Sequence, residues 1–274
     1  MRQVRLDELL NVMRSSKKYD LEQIRYPNMP AFDPVKPGLL YFLYRHHESY
    51  YNPDHDGPRT SASGLIIMSD QTGTHIDALC HQASDLKLSV GVKVTPEIET
   101  PWGFTKGGAE ELPLIVARGV LIDVASVYQD PLPENSMISL EQVKKTLEVQ
   151  GTTVERGDVV LVRTGYGKYW NDEEKYRRAA GVSKEVSSWL ARTGPVAVGS
   201  DNLAWDLPSF KDPETHSSLP GHLLLIAERG IPIIENVRLE ELAKDKVYQF
   251  LLIGFPLKFK GATGTPLRPV AIVP

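Results

Sequence analysis

The chain has 274 residues, 41% of them hydrophobic and 24% charged, which excludes a disordered chain and supplies enough apolar surface for a sizeable core. Its 31 Lys and Arg against 35 Asp and Glu give a net charge of −4 with no run of five like charges, which excludes the basic footprint of a nucleic-acid binder. One cysteine, Cys80, excludes an intramolecular disulfide and a structural thiolate zinc site, so the cytoplasm is the simplest compartment.

Val4, Leu6, Leu9, Leu10 and Met13 recur at near-helical spacing and predict an amphipathic helix that ends near Ser15-Ser16. Arg5, Asp7 and Glu8 lie among them, so this segment lacks the apolar core of a signal peptide. No apolar run elsewhere reaches the ~20 residues needed to cross a bilayer, and no membrane association is expected. Four prolines (Pro27, Pro30, Pro34 and Pro37) between Tyr19 and Pro37 predict an extended, surface-hugging arm. Residues 1–36 are therefore separated, as helix and arm, from a main domain of residues 37–274.

Leu39–Tyr44 and Gly64–Met68 read as strands, followed by a Gly- and Pro-rich loop from Pro101 to Pro113. Leu114–Val116 and Val120–Val124 read as two buried strands. Ser139 with Gln142 forms a capping box before a helix that stops at Gly151, and Gly157-Asp158 turns into the strand Val159–Arg163. A helix at Lys184–Arg192, a strand at Val196–Gly199, a helix from about Gly221 to Arg229 and a strand at Ile231–Glu235 follow. Phe250–Gly254 and Val270–Val273 close the series. This alternation, without internal repeats, predicts one α/β domain with a mixed sheet and flanking helices.

Among seven histidines, His75 and His81 lie in a metal-like pattern, Gln71-Thr72-Gly73-Thr74-His75-Ile76-Asp77-Ala78-Leu79-Cys80-His81. Residues 71, 75 and 77 are at even separations, so on an extended segment their side chains share one face and offer amide oxygen, imidazole and carboxylate to Zn²⁺ or Mn²⁺. His81 returns to the side of Asp77 if the chain turns helical there, as a further ligand or a proton carrier. Gly73 admits close approach of the backbone, and Thr74 offers a hydroxyl to a substrate. Spacing alone leaves open that these histidines are structural and that Asp77 is a cap. Phe32, Trp102 and Phe104 are candidates for a substrate pocket and equally for core. Cys80 reads as a small buried hydrophobe, while His46, His47 and His55 lie in a polar, solvated loop.

The segment resembles the signature H-x-G-T-H-x-D-x-P-x-H of the metal-dependent cyclase family, to which kynurenine formamidase and isatin hydrolase belong. Gly73, Thr74, His75, Asp77 and His81 match; Gln71 replaces the first histidine and Leu79 the proline. Six further stretches are similar in the same order: 19–21 followed by 28–32, 119–123, 157–165, Gly199-Ser200-Asp201, 222–235, and 261–268 as the C-terminal loop.

The resemblance implies the family's swivelling β/β/α fold, with His75 and Asp77 as metal ligands, Gln71 in the place of the third, and His222 and Glu235 completing a second site. It also implies His81 as catalytic acid/base, one or two Zn²⁺ or Mn²⁺ ions, and a homodimer or homotetramer in which the arm closes a neighbour's pocket. A bound metal activates water for attack on the carbonyl, while His81 takes up a proton and returns it to the leaving nitrogen. The expected activity is hydrolysis of a C–N bond in a small aromatic or cyclic formamide, amide or lactam. Lactone hydrolysis or a cyclisation or dehydration at the same metal is the alternative, as is a non-catalytic binding protein on the same scaffold. The absence of a G-x-S-x-G elbow disfavours a serine hydrolase.

Overall fold

The computed structural model describes residues 5–36 and 38–273; Val4 and Pro37 of the reading above lie outside them. The centre is a nine-stranded mixed sheet. Its strand order is Lys17–Asp20, Val270–Val273, Gln249–Gly254, Ile115–Asp123, Val159–Arg163, Ala197–Ser200, Ile233–Glu235, His75–Asp77 and Gly264–Pro266. The four strands from Ile115–Asp123 to Ile233–Glu235 run parallel, and every other pairing is antiparallel.

Both faces of the parallel strands are buried, which their near-continuous runs of Val, Ile and Leu anticipate. Val120, Ile122, Val160, Val162, Val198 and Ile233 point to one side, where the helices Leu140–Gln150 and Lys184–Thr193 pack. Leu121, Val159, Leu161, Ala197 and Ile234 point to the other, with Tyr19, Leu21, Phe250 and Leu252. The capping box forms as its spacing predicts: Gln142 N–H donates to Ser139 Oγ, and Ser139 N–H to Gln142 Oε1.

Three expectations change. The stretch 114–124 is one strand, Ile115–Asp123, because Gly119 in its middle leaves room for the Phe250 ring, which a Cβ there would meet at 2.1 Å. The start of the arm is no surface strap: Lys17–Asp20 pairs with Val270–Val273 as an edge strand, and Tyr19 and Leu21 are core residues. The C-terminal helix begins at Pro220–His222 and continues as a π-helical segment, Leu223–Glu228.

The Leu39–Arg45 and Ser63–Met68 strands pair only with each other, in a hairpin whose apolar side chains are exposed on both faces. The helix Leu6–Ser15 has the predicted amphipathic pattern but buries no residue. No helix among the described residues is long and apolar enough to cross a membrane.

Candidate metal centre

Two short strands build the site through their register. Ile76 and Ile234 pair across the His75–Asp77 and Ile233–Glu235 strands and enter the core, so His75, Asp77 and Glu235 share the opposite face. Glu235 is the direct cross-strand partner of His75. His222 reaches the same point from its helix. Its Nδ1–H donates to Asp206 Oδ2 at 2.8 Å, while Asp206 also accepts from the backbone N–H of Gly221 and His222.

The four side chains close a ring. His75 Nε2 lies 3.5 Å from Asp77 Oδ1 and 3.5 Å from Glu235 Oε2, and His222 Nε2 lies 3.7 Å from Asp77 Oδ2 and 3.1 Å from Glu235 Oε1. Imidazole nitrogens and carboxylate oxygens alternate around this ring, a donor set that suits a divalent cation, and one ligand atom each of Asp77, His222 and the neighbouring His81 lies within 4.8 Å of the others. Asp77 Oδ2 and Glu235 Oε1 are buried with no hydrogen-bond partner, a state costly for carboxylates unless a cation compensates it. His75 Nδ1–H donates to the Gly73 carbonyl at 2.8 Å. With the Asp206 contact at His222, both imidazoles turn their Nε2 atoms inward.

Burial alone drives the Asp77 carboxyl up, yet the imidazoles of His81, His75 and His222 outweigh it and hold it at about 2. Burial works against the charged form of His222 too, but Asp206 and Glu235 keep it well above the usual imidazole range. His75 is raised in the same way by Asp77 and Glu235 against its burial. Burial pushes Glu235 up and His81 down. Cys80 is buried and its thiol is pushed up to about 12 by that burial, as suits an inert packing residue.

His81 faces the same centre: its ligand atom lies with those of Asp77 and His222 within 4.8 Å of one another. It arrives by a turn, His81 N–H to the Ala78 carbonyl at 3.0 Å, where a helical turn was expected. Gln71 likewise reaches the site through a turn with Gly73 at φ 67°, instead of along a strand. Only glycine fits there, because a Cβ would meet Arg25 Nε at 2.9 Å. Gln71 presents its amide nitrogen to His81 Nδ1 at 2.5 Å and to Asp77 Oδ1 at 3.5 Å.

A pocket of about 140 Å³ opens over this centre, with Phe32, Ala31, Val35 and Leu203 along its apolar wall and Gln71, His81, Gln82 and Asn236 among its polar groups. Thr74 and Trp102 are not part of its lining. The Thr74 hydroxyl is committed to the scaffold, donating to the Asn236 carbonyl at 2.6 Å and accepting from Gln23 N–H. Trp102 is 92% exposed, because the Pro101–Pro113 loop turns it outward. Asp201 is committed to the scaffold, accepting the N–H groups of Thr164, Gly165 and Gly167. Asp206 was missed; its signal was a carboxylate inside the apolar run Leu203–Leu207, which burial makes costly unless paired.

Residues 19–207 match the family model described as putative cyclase. The chain is 30% identical over 259 residues to kynurenine formamidase of Bacillus cereus, covering 94% of this chain and 98% of that protein. It is 24% identical over 229 residues to isatin hydrolase of Roseibium aggregatum, covering 81% and 78%. A solved structure titled as a novel cyclase superposes with a TM-score of 0.83 at 28% identity, covering 96% of this chain and 89% of that one. An isatin hydrolase bound to the product analogue thioisatinate shares the fold, with a TM-score of 0.71 at 22% identity over 98% and 97% of the two chains.

Proposed function

This chain belongs to the putative cyclase family, and on that premise we propose that it is a metal-dependent hydrolase of a C–N bond in a small aromatic or cyclic formamide, amide or lactam. The observation that carries this reading is the ring of two imidazoles and two carboxylates, with two orphaned carboxylate oxygens, beside the half-buried His81. His75, Asp77, His222 and Glu235 hold the metal. The mixed nitrogen and oxygen set would suit Zn²⁺ or Mn²⁺, as one ion or two. When bound, the metal supplies Lewis acidity toward the carbonyl and lowers the pKa of water to about 7.

The residues of the chain do the rest. Phe32 and Leu203 take the ring of the substrate, and the pocket is close to the ~150 Å³ that admits one benzene ring. Desolvation beside this wall excludes competing water, while Gln82 offers an amide group to orient the scissile bond; the Asn236 amide is held by the Gly73 carbonyl and the Tyr176 hydroxyl. His81 carries the proton that the departing nitrogen needs.

The exposed apolar hairpin and helix support a homodimer or homotetramer, and a buried, unreactive Cys80 suits a cytoplasmic location. The test is turnover of N-formyl anilines, aryl amides and fused-ring lactams by metal-loaded protein. Hydrolysis of at least one class, abolished by chelation and restored by Zn²⁺ or Mn²⁺, is expected; metal-loaded protein inert toward all three classes refutes the reading.

A further inference from the structure

A histidine that moves a proton must have its two ring nitrogens in defined states. Both nitrogens of His81 meet amide nitrogens, Nδ1 at 2.5 Å from Gln71 Nε2 and Nε2 at 3.1 Å from Gln82 Nε2, and since a neutral ring carries one N–H, one of the two amides has to turn its oxygen to the ring. The Gln71 contact settles the pattern. Its Nε2 also faces Asp77 Oδ1 at 3.5 Å, a carboxylate oxygen that accepts, so the NH₂ group has to point there. Turning the amide over would set its oxygen against that carboxylate. The same NH₂ then donates its second hydrogen to His81 Nδ1.

From this geometry we propose that Gln71 is a positioning residue that fixes His81 as the Nε2–H tautomer, and that it is not a metal ligand. With Nδ1 accepting, the ring proton sits on Nε2, and the Gln82 amide presents its oxygen to it, since amide O and N are interchangeable by shape. The neutral ring therefore presents Nε2–H as a hydrogen-bond donor, with Gln82 as its neighbour in the pocket wall. Gln71 thereby occupies a place that a ligand fills in relatives while doing a different job, leaving the metal to His75, Asp77, His222 and Glu235. The inference rests on the proposed reaction only for its catalytic consequence; the tautomer and the ligand count stand apart from it.

Three measurements test it. In metal-free protein labelled at histidine with ¹⁵N and ¹³C, the resonance absent from the His81→Gln variant should show the Nε2–H pattern. An Nδ1–H pattern overturns the proposal. Second, Gln71→Leu, loaded and desalted beside the wild type, should keep the same metal stoichiometry by elemental analysis, and loss of metal overturns the claim that Gln71 is no ligand. Third, on any substrate the wild type hydrolyses, Gln71→Leu should lower kcat about 10- to 100-fold with KM within about twofold, and an unchanged kcat overturns the positioning role. Should Gln71→Leu not fold, Gln71→Glu serves: as an acceptor toward Nδ1 it should switch His81 to the Nδ1–H pattern, and retention of the Nε2–H pattern counts against Gln71 control. If the wild type hydrolyses nothing, the proposed function falls while the spectroscopic and metal measurements still decide the role of Gln71.

Discussion

Asp206 Oδ2 accepts a 2.8 Å hydrogen bond from His222 Nδ1 and turns the Nε2 of that imidazole toward Glu235. A carboxylate partner of this kind fixes ring orientation and strengthens the donor, and its loss commonly costs 10- to 100-fold in metal affinity. Asp206→Asn is accordingly expected to bind Zn²⁺ or Mn²⁺ about 10- to 100-fold more weakly in a competitive chelator titration, with an unchanged fold by circular dichroism. Affinity equal to wild type would remove His222 from the ligand set.

His75 sits at the other end of the ring, with Nδ1 committed to the Gly73 carbonyl. Truncation to alanine leaves Asp77 and Glu235 facing each other without one of the two imidazoles that offset their charge. His75→Ala should fold yet fail to retain stoichiometric metal through desalting, measured by elemental analysis. Full occupancy would show that the ion, if one binds, is held elsewhere.

His81 is within reach of the same donors but outside their closed ring. Its replacement should therefore spare the ion and strike the reaction. His81→Ala is expected to keep most of the metal while losing about 10² to 10⁴ in kcat on a hydrolysed substrate. A two- or threefold loss would make His81 a bystander.

How much of this was legible in the sequence follows from the range of the interactions. The capping box at Ser139 and Gln142 and the strand Val159–Arg163 are written in local pattern, so periodicity and capping found them. The edge strand Lys17–Asp20 carries no such pattern; Tyr19 alone enters the core, and the pairing with Val270–Val273 spans the length of the chain. His75–Asp77 is only three residues long, yet the even spacing of its two polar residues was enough to put them on one face. Gln71 did not share that alternation, because Gly73 turns the chain between them. The link from Asp206 to His222 depends on a tertiary turn that no spacing rule encodes.

The hairpin gives a prediction about assembly. Tyr41, Phe42, Ile66 and Ile67 are each about half exposed or more, on a ribbon that has two strands among the described residues, and such ribbons are marginal alone. A second copy of the chain covering them would supply the missing burial. Phe42→Asp should reduce the oligomer to monomer in light scattering coupled to size exclusion, without altering metal stoichiometry. A wild type that is already monomeric at micromolar concentration would count against this role.

Glu240 gives a pH dependence whose sign is fixed by its surroundings. Burial pushes its carboxyl up to about 7, and nearby Asp201 adds to the rise, against the pull of Arg163. That pull is weak because Arg163 is already engaged by Asp123 at 2.9 Å and Asp130 at 2.8 Å, leaving its Nε 3.7 Å from Glu240 Oε1. In the unfolded chain a glutamate titrates near ~4.3, so between that value and about 7 the folded state holds the extra proton. The contribution is therefore fully present below the unfolded pKa and is lost as pH rises through the folded one, by about 4 kcal/mol at most. Gln at this position imitates the protonated side chain at every pH. Glu240→Gln should match wild type in urea unfolding at pH 4.5 and exceed it at pH 8, the difference growing steadily between. Other titrating groups are common to both proteins and cancel in that difference. A variant less stable than wild type at pH 8 would mean that ionised Glu240 holds Arg163 in place, and that the buried cluster at these strand ends is stabilised by charge instead of relieved by protonation.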